Sequence, residues 1–117
     1  MRHLKKGKKF HRKKGRRKAF LRNLANDLVR SGKIETTEAR AKALRPIVER
    51  LVTCAKKQTL AGRRLILKRV HNEAVAEKLY GELGPRYADR RGGYLKIIKL
   101  AKSRKRDGGR MARVEFV

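Results

Sequence analysis

The sequence is short of the residues on which most chemistry and most large cores depend. It holds one cysteine, Cys54, which excludes an internal disulfide framework. With histidine only at His3, His11 and His71, that cysteine makes a poor metal site. Tryptophan is absent, aromatics make up 5% and hydrophobic residues 39%, below the usual globular share, so the core is expected to be small and aliphatic. No apolar run approaches the length that spans a bilayer. Glycine patterns of the phosphate-loop or dinucleotide type, a nucleophile elbow and a zinc-protease helix are all missing. No two carboxylates are placed as an acid/base pair. Neither an enzyme nor a cofactor is expected.

The greatest scarcity is of acid. Ten Asp and Glu face 36 Lys and Arg, a formal net charge of +26 on 117 residues. Self-repulsion on that scale works against a compact state, so a polyanionic partner is expected. The chain reads as intracellular, reduced and soluble, with no membrane or small-molecule partner and no homo-oligomer expected. Its length suits one domain.

The charge is unevenly spread. Residues 1–18 carry eleven Lys or Arg, no acid, and little apolar besides Leu4 and Phe10. Such a segment cannot bury enough apolar surface to offset its ordering entropy. It reads as an extended arm that orders on its ligand, with residues 19–117 forming a single globular domain.

From Ala19 the pattern changes. Phe20, Leu21, Leu24, Ala25, Leu28 and Val29 make one helical stripe, with Gly32 placed to close it. Lys33–Thr37 is short and β-branched, which predicts a strand, and Thr36 or Thr37 can cap a helix from Glu38. That helix buries Leu44, Ile47, Val48, Leu51, Val52 and Ala55, with a kink or restart expected at Pro46. Cys54 is expected as a small core or boundary residue. A third helix covers Leu60–Val70, with Leu65, Ile66 and Val70 inward, and His71 falls at a junction as a surface or capping residue. Asn72 is placed to cap a fourth helix carrying Val75, Leu79 and Leu83, stopped by Gly84-Pro85. Two strands follow, near 94–100 and 110–117, joined by a basic tip with a turn signal at Asp107-Gly108. The predicted fold is α+β: a basic N-terminal arm, then helix, strand, three helices and two strands, with a small sheet packed on the helices. The terminal hairpin pairs with the early strand.

Concentrated charge of one sign points to phosphate neutralisation. The candidate contacts are Arg2, His3, Lys5, Lys6, Lys8, Lys9, Arg12, Lys13, Lys14, Arg16 and Arg17 in the arm, then Arg22 on the first helix. Arg63 and Arg64 add a helical patch; Arg90, Arg91, Lys102, Arg104, Lys105 and Arg106 add loop and hairpin cations. Tyr87 and Tyr94 are expected to pack at the core edge. The alternative has one ring stacking on an unpaired base while Gly92 and Gly93 let phosphate approach the backbone, which adds Gly92, Gly93 and Tyr94 to the candidates. No groove-reading helix-turn-helix, zinc finger or zipper is visible, and a basic arm suits irregular folded RNA. A DNA-compacting architectural protein is the runner-up, without the apolar wedge that role uses. A membrane-active peptide is disfavoured, because the most basic segment is the least amphipathic.

These residues resemble a known family over essentially the whole chain. The segments are Met1-Arg2-His3, Arg22-Asn23-Leu24-Ala25, Lys33-Ile34-Glu35-Thr36-Thr37 and Ala41-Lys42-Ala43-Leu44-Arg45. They continue through Ala55-Lys56 to Arg63-Arg64-Leu65, Gly84-Pro85-Arg86-Tyr87, Arg90-Arg91-Gly92-Gly93-Tyr94, Met111-Ala112 and Val114-Glu115-Phe116-Val117. In that order they are similar to the bacterial large-subunit ribosomal protein family L-seventeen. Departures at Phe10-His11-Arg12, Lys14-Gly15-Arg16, Leu95-Lys96 and the hairpin tip mostly add or keep positive charge. The resemblance implies an α+β fold of the same order and a structural, non-catalytic role in the large ribosomal subunit. It also implies a partner in large-subunit ribosomal RNA on the side where the peptide exit tunnel opens, and a protein neighbour in the small ribosomal protein L-thirty-two. A cytoplasmic ribosome is then expected; between bacterial and organellar, which the sequence does not separate, the lack of a transit segment favours bacterial.

Overall fold

The computed structural model describes residues 13–104 and 108–117. The first helix, α1, spans Lys14–Ser31 and buries Ala25, Asn26, Leu28 and Val29. Gly32 closes it at φ +81° with its N–H on the Leu28 carbonyl, the left-handed cap that a glycine at this position predicts. The helix begins at Lys14, not at Ala19, so 14–18 are helical and not part of an extended arm. Lys and Arg are good helix formers, and they extend a helix whose packed C-terminal half has already met the cost of nucleation. Of the arm, residues 1–12 lie outside the described residues.

Strand β1, Lys33–Thr37, runs directly into α2, Glu38–Lys56. The Thr37 hydroxyl accepts from the Arg40 N–H and caps the helix. The buried stripe of α2 is Ala41, Leu44, Val48, Leu51, Val52 and Ala55. Pro46 does not restart it: the helix is continuous through the proline. Pro46 and Lys42 are both exposed, so water can satisfy the Lys42 carbonyl that loses its helical donor.

Helix α3, Leu60–Val70, is capped by the Thr59 hydroxyl on the Gly62 N–H and ends at His71, which is exposed and left-handed at φ +52°. Its inward line is Gly62, Ile66 and Val70, a narrow i, i+4, i+8 ridge. Leu65, expected inward, is instead 42% exposed, as Leu60 and Leu67 are at 62% and 40%. At about 100° per residue it lies too far round from that ridge. Cys54 is half-buried, its thiol donating to the Gly62 carbonyl at 3.5 Å, the boundary role expected of it.

Asn72 caps α4, Glu73–Lys78, through the Val75 N–H. Gly84-Pro85 does not stop the chain here. A π-helical turn, Leu79–Leu83, carries it on into a short helix α5, Gly84–Arg86. The widened turn bonds the Gly84 N–H to the Leu79 carbonyl, and Pro85 has no N–H to give to the next carbonyl in that pattern, Tyr80. Gln58 Nε2 supplies it at 2.8 Å, and the same amide reaches the Ala55 carbonyl at 2.8 Å. Gly84 is a packing device: a Cβ there would sit 2.7 Å from the Ala55 carbonyl oxygen and 2.9 Å from Gln58 Nε2.

The last strands are β2, Leu95–Ser103, and β3, Arg110–Phe116. The antiparallel sheet has the order β1-β3-β2, pairing Ile34 with Val114 and Ile97 with Val114. The hairpin therefore meets the early strand as predicted, with an irregularity between Lys99 and Ser103. Ala112, Val114 and Phe116 turn to the helices. The core of the described residues is aliphatic apart from Tyr87 and Tyr94.

The two glycines of the π-turn region give opposite expectations. Gly84→Ala should cost about 1–3 kcal/mol. Gly81→Ala, with nothing within 4 Å of the added carbon, should be neutral or stabilise by up to about 1 kcal/mol. Urea midpoints at constant m-value measure both.

Candidate nucleic-acid interface

The few acids are not scattered. On the sheet face turned away from the helices, Glu115 takes Lys96 at 3.0 Å and Arg113 at 4.0 Å, and Glu35 takes Lys102 at 3.0 Å. At the start of α2, Glu38 takes Lys42 at 3.0 Å and Lys99 at 3.7 Å. The lysine hydrogen bonds, foremost among the causes, hold Glu35, Glu38 and Glu115 below the ordinary carboxylate pKa. Glu49 takes Arg45 at 2.8 Å, and Glu77 pairs with Arg63. Each of these carboxylates offsets one or two neighbouring cations on the sheet face and along α2.

Several other cations have no such partner among the described residues. Lys13 occupies the N-cap of α1 with no capping side chain, and the first turn of α1 has no acid. Lys14 and Arg16 are exposed there and Lys18 just beyond, beside Lys13 at the end where the helix dipole is already positive. That arrangement raises its own electrostatic cost until an anion arrives. On α3, Arg64, Lys68 and Arg69 are exposed and make no ion pair among the described residues. Arg91 is likewise exposed and unpaired at the start of the glycine pair.

Several sequence candidates take other duties. The Tyr94 ring is 1% exposed and packs on Tyr87 at 5.3 Å, with Phe116 stacked on Tyr87 at 6.4 Å. It is enclosed and cannot stack on a base, which corrects its inclusion among the nucleic-acid contacts. The packing expectation for both tyrosines is the one met. Burial would push the Tyr94 phenol up, but hydrogen bonds from Lys56 and Thr53 leave it lowered, whereas burial raises Tyr87. The Tyr87 hydroxyl donates to the Val117 carbonyl at 2.6 Å.

The glycine pair is part of a braced loop. Gly93 sits at φ +62° and gives its N–H to Glu49 Oε2 at 3.1 Å. With that donor taken and a carboxylate beside it, Gly93 is a turn residue and not a phosphate cradle. Gly92 faces open space, and its carbonyl accepts from Arg90 Nε at 3.1 Å. Lys56 holds the same loop through the Arg90 carbonyl and the Tyr94 hydroxyl, the latter at 3.0 Å. Arg63 is committed to Glu77 and lies over the Tyr80 ring at 5.7 Å. Lys102 is committed to Glu35. Arg17 and Arg22 are half-buried on α1. Arg104 is exposed at the end of β2; Lys105 and Arg106 lie outside the described residues, with Arg2, His3, Lys5, Lys6, Lys8, Lys9 and Arg12.

The fold also assembles cationic places that the sequence did not advertise. A groove of about 490 Å³ between the start of α2 and the hairpin is lined by Arg40, Lys42, Arg104 and Arg110. A second, of about 310 Å³, joins Arg22 and Arg30 of α1 to His71 and Asn72. Both bring together residues far apart in sequence, so no local spacing could signal them.

A small α+β body whose ion-paired acids sit mostly on the sheet and α2, and whose α1 start and α3 carry cations without ion pairs, is the build of a basic polyanion-binding protein. Residues 20–117 match the family described as "Ribosomal protein L17". A "Large ribosomal subunit protein bL17" from Sulfurihydrogenibium sp. (strain YO3AOP1) is 50% identical over 117 residues, 100% of this chain and 97% of the relative. Proteins of the same description from Gemmatimonas aurantiaca and Thermus thermophilus are 51% and 44% identical, each across 100% of this chain and 98% and 99% of their own. The chain belongs to the ribosomal protein family L-seventeen, a family of structural components and not of enzymes. No helix among the described residues is long and apolar enough to cross a membrane.

Acid should weaken this protein through three of its paired glutamates, Glu35, Glu38 and Glu115. Their folded pKa values are lowered, so their contribution is full above the ordinary value of 4.5 and is lost as pH falls through the lowered values. The melting temperature is expected to drop progressively below about pH 4.5, and Glu115→Gln should flatten that drop. A flat profile in the parent chain would contradict the assignment.

Proposed function

We propose that this chain is a structural constituent of the large ribosomal subunit that binds large-subunit ribosomal RNA mainly through Lys and Arg contacts to phosphate. The observation that carries the reading is the sorting of charge: acids offset part of the positive charge on the open sheet face, while the start of α1, Arg64, Lys68 and Arg69 of α3, and Arg91 have no ion pair among the described residues. Counterion release from phosphates is the direct use of such surfaces. Family membership supplies the ribosomal setting, in a cytoplasmic ribosome.

The finer placement rests on the resemblance. The arm, Arg2, His3, Lys5, Lys6, Lys8, Lys9, Arg12 and Lys13, threads the RNA and orders on it, and Lys14, Arg16 and Arg17 continue the track onto α1. Arg22, Arg64, Arg90, Arg91 and the hairpin cations Arg104, Lys105 and Arg106 anchor the body. The bound face lies where the peptide exit tunnel opens, with the small protein L-thirty-two beside it.

Sedimentation of the tagged protein on a sucrose gradient, with and without ribonuclease, tests the reading. Co-migration with large subunits that is lost on RNA digestion supports it. Release by deoxyribonuclease instead would replace it with a DNA-compacting role. In direct titrations with large-subunit rRNA, about ten phosphate contacts give a slope of log K on log salt near −7 to −9. Arg91→Gln should make that slope shallower by about one unit or less without changing stability. Lys102→Gln should change it less, because Glu35 already holds that charge.

A further inference from the structure

The chain contains three asparagines, Asn23, Asn26 and Asn72, and all three line the groove between α1 and the α3–α4 junction. The phosphate reading above uses none of them. His71 stands beside them, and Arg22 and Arg30 complete the basic lining. At about 310 Å³ the groove falls at the small end of ligand clefts.

The amide orientations follow from their partners. Asn26 is 7% exposed, and its Nδ2 donates to the Val70 carbonyl at 3.1 Å. A carbonyl needs a donor, so that bond fixes which end of the amide faces α3. Asn26 Oδ1 is left buried with no donor, an unmet acceptor of the kind that native structures rarely leave unexplained. Asn72 uses its Oδ1 to accept from the Val75 N–H at 3.1 Å, which leaves its Nδ2 as a donor. Asn23 is exposed on α1 at the rim of the groove, and the exposed imidazole of His71 offers a flat face. Asp27 is the one acid in the lining, and it faces Arg30 at 3.5 Å. Its repulsion of phosphate is thereby reduced, and the groove is suited to a group that is polar but not highly charged.

Adjacent amide donors and acceptors match the edge of a nucleobase, whose exocyclic amino groups donate and ring nitrogens accept. We propose that this groove receives one unpaired nucleotide of the bound RNA. The base edge meets the asparagine amides, a base donor satisfies Asn26 Oδ1 as the rim side chains part, and the His71 ring covers the base. Arg22 holds the adjoining phosphate. The inference rests on the RNA-binding reading and adds a base-reading site to surfaces that otherwise contact only backbone.

The test titrates the full chain against protein-free large-subunit rRNA and maps base protection with dimethyl sulfate. Asn23→Ala/His71→Ala alters exposed side chains and should leave the melting temperature within experimental scatter. It should weaken binding about tenfold at fixed salt, keep the salt slope, and expose one or a few bases that the parent chain protects. Arg22→Gln should make the slope shallower and serves as the phosphate control. Asn26→Ala, which also loses the Val70 bond, is read only beside its melting curve. Unchanged affinity and protections in the double variant would overturn the groove proposal while leaving RNA binding intact. A shallower slope in that variant would also overturn it, since the contacts would then be phosphates. Failure of the parent chain to bind the rRNA would overturn both readings.

Discussion

The constraint on which everything else in this protein depends is charge of one sign. A net +26 on 117 residues must be held in a body with a small aliphatic core, and screening by water and salt is only a partial remedy. The fold answers by placing its few carboxylates where cations would otherwise crowd. Glu115 lies between Lys96 and Arg113, Glu38 between Lys42 and Lys99, and Glu35 beside Lys102. Exposed ion pairs are individually weak. Their importance here is in removing like-charge repulsion across a small sheet that carries Lys96, Lys99, Lys102 and Arg113 on adjoining strands.

What that placement leaves uncovered is what the proposed RNA-binding role draws on. The start of α1 sets Lys14 and Arg16, with Lys18 just beyond, against a positive helix end whose first turn holds no acid, and α3 presents Arg64, Lys68 and Arg69 with no ion pair among the described residues. A protein built for stability alone would distribute its acids there. A protein whose partner supplies phosphates gains from leaving them bare, because neutralisation then occurs on binding. The aromatic residues follow the same logic. Tyr87 and Tyr94 are enclosed with Phe116 beside them, so the rings fix the loop that carries Arg90 and Arg91 instead of meeting ligand directly.

Much of this is legible in residue order. The stripes of α1 and α2, the caps at Gly32, Thr37 and Asn72, and the pairing of the terminal hairpin with Lys33–Thr37 all depend on local period and turn chemistry. What escapes depends on contacts between distant segments. Pro46 reads as a break until its side of the helix is seen to be exposed. Gly84-Pro85 reads as a stop until Gln58 is seen serving the carbonyl that proline leaves without a donor. Among the candidate contacts, Tyr94, Arg63, Lys102 and Gly93 have the right chemistry for RNA, but intramolecular partners have taken them. Asn26 and Asn72 cannot be joined from sequence at all, since only the α1–α3 packing brings them to one groove.

The central claim is that uncompensated charge limits the free protein and that phosphate relieves it. Thermal unfolding of the full chain against salt tests this most directly, from about 0.01 M to about 1 M, where the screening length falls from about 30 Å to about 3 Å. The account predicts a melting temperature that rises steeply with salt, and rises at low salt when large-subunit rRNA is added. A melting temperature that stays level or falls across the range would contradict it.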